Sequence, residues 1–140
     1  MGPNYIFLCC SSIIFLGSAN LDSIHAVDYS VENRVATSPG GITFNKQIGE
    51  EYARSTVEAA TKFIWNLFRQ NTHADRKNAQ RVAIVIVQNL GSPNIPAATW
   101  GDEINLSADY IQQNGGDKRD FSGVVYHEMT HVWLWKGIGA

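Results

Sequence analysis

Cysteine is nearly absent from this 140-residue chain: Cys9 and Cys10, adjacent and close to the N-terminus, are the only two. If that segment is removed as a leader, the rest must fold on its apolar core without a disulfide. Clusters of lysine or arginine are also lacking, and the formal net charge is −2. That balance excludes the electrostatic footprint of a nucleic-acid binder or of a protein drawn to an anionic membrane. No apolar stretch is long enough to span a bilayer; the run from Tyr5 to Gly17 is too short. Internal repeats and low-complexity tracts are missing, and the length allows one domain.

What is present begins with that same N-terminal run. An apolar segment followed by small residues reads as a secretory signal peptide, with cuts possible after Ala19 or Ala26 and the second preferred. The expected organisation is therefore a signal peptide over 1–26 and a domain over 27–140. No membrane association is expected once the leader is gone. In the domain, one glycosylation pattern occurs, Asn105-Leu106-Ser107.

Val27 to Val35 reads as extended, and Ser38-Pro39-Gly40-Gly41 as a turn. Ile42, Thr43 and Phe44 then suggest a second strand of a hairpin. From Ile48 to Gln70 apolar residues recur at helical spacing, predicting a long helix whose aromatics are core, with Glu58 and Lys62 spaced for an ion pair on its solvated side. Val82 to Val87 is a continuous aliphatic run, read as a central strand covered on both faces. Asn89 to Gly101 is rich in proline and glycine and reads as a loop, whereas Glu103-Ile104-Asn105-Leu106 alternates like an edge strand. Asn114-Gly115-Gly116 marks a turn before a final helix, for which Ser122 offers an N-cap and Gly137 a stop.

That final helix carries the chemistry. Val125, Met129, Val132 and Trp133 recur at the spacing of a core-facing stripe, and His127-Glu128-Met129-Thr130-His131 runs along the side largely opposite. Residues four apart on a helix are about 40° apart around the axis and one turn apart along it, so His127 and His131 can reach one zinc ion. Glu128 on the flank can take a proton from a water that the metal activates. The extended signature with a glycine and a third histidine is excluded, because Leu134 and Gly137 occupy those positions.

The segments Val124 to Trp133 with Trp135, Ala26-Val27-Asp28-Tyr29-Ser30-Val31, Pro39-Gly40-Gly41, Phe63-Ile64-Trp65 and Ala74-Asp75-Arg76-Lys77 together resemble the plant basic secretory proteins. The resemblance runs through most of the mature chain. It implies a secreted, zinc-dependent peptidase linked to plant defence, acting in the apoplast on peptide or protein substrates, with a sheet edge bordering the active-site helix. Carried over by position, His127 and His131 are the metal ligands and Glu128 is the catalytic base. In the family, chain beyond the glycines matching Gly137 and Gly139 forms a further helix with acidic residues, so the resemblance implies a domain incomplete at its C-terminus and lacking a third zinc ligand. His73, Asp102, Glu103 and Asp120 are the upstream residues of ligand type, but each reads better as a surface or turn residue than as a third ligand. Mild acidity departs from the family's basic character. The expected fold class is α/β (α+β): a small mixed sheet, a long packing helix and a zincin-like helix. A non-catalytic or truncated secreted defence-associated protein is the alternative.

Overall fold

The computed structural model describes residues 27–134. The expected leader, Cys9, Cys10, both cleavage points, Trp135, Gly137 and Gly139 lie outside the described residues.

Strand β1 (Asp28–Asn33) is followed by a short helix α1 (Pro39–Thr43), a π-helical turn over Phe44–Ile48 and the long helix α2 (Glu50–Leu67). A 3₁₀ turn at His73–Asp75 leads to β2 (Arg81–Val87), then β3 (Ala97–Trp100) and β4 (Glu103–Ser107). Helices α3 (Ala108–Gln113) and α4 (Lys118–Trp133) complete the described chain. The strands form one mixed sheet in the order β1-β2-β4-β3, with β3 alone antiparallel to its neighbour. The mixed α/β expectation holds.

The expected hairpin does not form: β1 pairs in parallel with β2, Val31 opposite Ile84, and Ile42 to Phe44 are helical. Ser38-Pro39-Gly40-Gly41 starts a helix instead of a turn. Ser38 Oγ accepts from Gly41 N at 3.1 Å, and Pro39 occupies the first turn, where a missing N–H costs nothing. The two glycines are there for proximity: a Cβ on Gly40 would stand 2.0 Å from Ala108 O, and one on Gly41 1.9 Å from Val35 O.

Val82, Ile84 and Ile86 of β2, with Ile104 and Leu106 of β4, face α2 and α4 across the core. As expected, β2 is interior, but the helices cover one face of it. On the other face Val85 is buried between Glu32 and Asn105, while Ala83 and Val87 are half-buried. Two expectations about the next segment are overturned. Residues 97–100, inside the expected loop, form the edge strand, and β4, expected at the edge, lies between β2 and β3. Its polar Asn105 is buried because its amide Nδ2 donates to Glu103 Oε1 at 2.9 Å. The atom to which a glycan would attach is thus already bonded inside the sheet.

The long helix forms but is shorter at both ends than Ile48 to Gln70, running from Glu50 to Leu67, and Lys62 pairs with Glu58 at 2.5 Å. Its aromatics are only partly core: Phe63 and Phe68 are exposed, as is Leu67. The helix packs mainly on α4 and β1.

Candidate active site between the last helix and the edge strand

Helix α4 starts five residues earlier than Ser122 would have it. Gly115 and Gly116 turn the chain at φ 62° and 69°, and Asp117 then caps the helix, accepting from Arg119 N at 2.8 Å and Asp120 N at 3.0 Å. The cap holds the Asp117 carboxyl below the usual aspartate range, chiefly through the Asp120 N–H and next the Arg119 N–H. Ser122 instead bonds Tyr52 Oη at 2.9 Å, tying α4 to α2. The expected core stripe is confirmed: Val125, Met129, Val132 and Trp133 are all buried. Trp133 Nε1 donates to Thr61 Oγ1 at 3.2 Å, and its ring meets Trp65 edge-on with centroids 5.0 Å apart.

The helix ends at Trp133, where Leu134 turns extended. Side chains satisfy its last carbonyls: Lys77 Nζ donates to Val132 O at 3.0 Å and Gln70 Nε2 to Trp133 O at 3.4 Å. A cation at that end also suits the helix dipole.

With the core stripe fixed inward, His127 and His131 are exposed on the opposite side. Their Nε2 atoms approach to 3.2 Å, with the rings 75° apart in plane. Two nitrogens bound to a tetrahedral zinc at about 2.0–2.1 Å each are about 3.3 Å from one another. The imidazoles therefore stand at the separation of two ligands to one zinc, and as a pair they fit two of its four positions.

Glu128 is placed differently from its neighbours. It is 6% exposed, lodged between α4 and β3, and its Oε2 accepts from Thr99 Oγ1 at 2.6 Å. The same hydroxyl lies 3.4 Å from Glu128 O. Thr99 was not singled out from the sequence, because it lies in a segment read as loop and reaches Glu128 only through strand pairing. Glu128 and Ala97 line two cavities that meet along the α4–β3 boundary. One, of about 530 Å³, contains Asp120, Gly123 and His127; the other, of about 950 Å³, contains Lys77, Trp100 and His131.

The remaining ligand candidates scatter. His73 sits in the 3₁₀ turn, and Asp102 faces Lys77 at 3.6 Å. Glu103 holds Asn105, whereas Asp120 shares a cavity with His127 but accepts from Tyr110 Oη at 3.1 Å. Among the described residues, no three histidine, cysteine, aspartate or glutamate side chains gather as a metal-binding group.

A buried carboxylate thus stands beside two converging imidazoles, on a helix against a sheet edge. The family model for the peptidases of plants and bacteria matches residues 24–140. This chain belongs to that family, the basic secretory proteins. No curated protein and no solved structure matches it. The resemblance implied a sheet edge beside the helix of the histidines, and β3, at one edge of the sheet, packs against α4.

Proposed function

We propose that this member of the basic secretory protein family is a secreted, zinc-dependent peptidase. His127 and His131 hold the metal, and Glu128 acts as general base. The observation that supports this most is the 3.2 Å approach of the two Nε2 atoms, both on the exposed side of α4 beside a cleft. A zinc ion bound there supplies Lewis-acid polarisation of the peptide carbonyl and lowers the cost of ionising water. The chain's own residues do the rest. Thr99 fixes Oε2 of Glu128, which leaves Oε1 to take the proton of the attacking water and later to return one to the leaving amine. On this reading a peptide or protein substrate would lie in the cleft along β3.

The extracellular location, with a leader removed near Ala26 and no membrane attachment thereafter, rests on the N-terminal sequence pattern. Among the described residues no helix is long and apolar enough to cross a membrane. A role in plant defence in the apoplast follows from the family likeness, and nothing basic in this chain suggests nucleic acid as a partner.

One observation favours a second reading, a non-catalytic member of the family: the described residues bring two imidazoles together and no third ligand. Glu128→Gln separates the two. The amide keeps the size of the side chain and an oxygen to accept from Thr99, so fold and zinc binding persist. Turnover of a peptide substrate falls by about 10²–10⁴-fold. A wild-type chain that binds zinc and cleaves nothing supports the second reading, and a Glu128→Gln chain that cleaves as fast as wild type removes Glu128 from the mechanism.

A further inference from the structure

The two arms of the cleft differ in charge. The arm that contains His131 includes Lys77, whereas the arm that contains His127 has no lysine or arginine in its lining and has Asp120 at its far end. Pro96, Ala97 and Val124 make the walls of this second arm apolar. Asp120 is half-buried and held by one bond, from Tyr110 Oη to its Oδ1 at 3.1 Å, while none of the ion pairs of the described residues uses it. The nearby Arg119 turns towards Asp117, 3.9 Å away, with its side chain 96% exposed.

Gly123 gives an independent sign that this arm is kept open. It lies mid-helix, where glycine is less stable than alanine, yet a Cβ there would meet nothing within 4 Å. Packing does not demand a glycine. Its place one turn from both Asp120 and His127 means that any side chain would project into the arm.

Resting on the peptidase reading above, we infer that this arm is a specificity subsite for a lysine or arginine side chain of the substrate. The aliphatic stem lies over Gly123 between Pro96 and Val124, and the cationic head meets Asp120. Asp120 precedes Glu128 by eight positions, about 12 Å along the helix, and an extended peptide advances about 3.3 Å per residue. The basic residue therefore sits within about four positions of the scissile bond, on one side only.

The test uses quenched fluorescent peptides with arginine, norleucine or glutamate at each of four positions on either side of the bond. Wild type is expected to favour arginine over norleucine by about ten- to a hundredfold in kcat/KM at one position, the range of a charge-assisted hydrogen bond. Asp120→Asn brings that ratio towards unity, and Asp120→Lys reverses it towards glutamate. Gly123→Leu, whose side chain enters open space, disfavours every long side chain at the same position regardless of charge, while a thermal melt checks that it folds. An arginine preference that survives Asp120→Asn, or none at any position, overturns the subsite. If wild type cleaves no peptide, the peptidase reading fails, and fluorescence anisotropy with the same peptides decides the subsite alone. Tighter binding of the arginine peptide that is lost in Asp120→Asn sustains it, and equal binding overturns it.

Discussion

Thr99 and Glu128 form the contact on which the site's geometry turns. A carboxylate that is 6% exposed needs a donor, and the Thr99 hydroxyl provides one at 2.6 Å. Thr99→Val keeps the shape and removes the donor, so chemical denaturation should show a loss of about 1–3 kcal/mol, whereas Thr99→Ser should restore most of it. An unchanged midpoint in Thr99→Val would mean that solvent already satisfies Glu128. The two histidines were legible in the sequence because their relation is local: four residues on a helix fix direction and distance together. Thr99 was not, since 29 residues separate it from Glu128 and only the pairing of β3 with β4 brings it there. Asp120 was noticed as a stand-in ligand, while its place in a cavity beside Gly123 required the fold.

The helix that carries the site depends on its cap. Backbone N–H groups of Asp120 and Arg119 depress the Asp117 carboxyl, so the folded chain binds that proton less tightly than the unfolded one. The contribution is therefore complete above the ordinary aspartate range and lost as pH falls through the lowered value. Asp117→Ala should melt below wild type at neutral pH, with the gap closing in acid. A gap independent of pH would show that the carboxylate charge is not what caps α4. Elements were read well where periodicity was strong, as in β2 and α2, and poorly where short segments serve tertiary contacts. Pro39-Gly40-Gly41 has turn composition, but its glycines answer to Ala108 and Val35 across a tight approach. Residues 103–106 alternate as an edge strand does, yet Glu103 and Asn105 satisfy each other and allow β4 to sit inside the sheet. The four-residue β3 is too short, and too closely preceded by Pro93 and Pro96, to signal itself.

At the scale of the whole molecule, a four-stranded sheet with α2 and α4 on one face leaves its β3 edge and the outer side of α4 to form a cleft. Every group in the account lies along that line: Asp120 and Gly123 in one arm, His127, Glu128 and Thr99 in the middle, His131 towards the other. The mixed architecture and the shared side of His127 and His131 were readable from composition and spacing, but the cleft arises from the order in which strands pair. The most direct test is peptide hydrolysis after chelation, followed by zinc add-back, in wild type and in His131→Ala. The account predicts that chelation abolishes cleavage, that zinc restores it in wild type, and that the same zinc restores little or none in the variant, which has lost one of two converging imidazoles. Cleavage that survives chelation, or that zinc restores equally in both proteins, would contradict it.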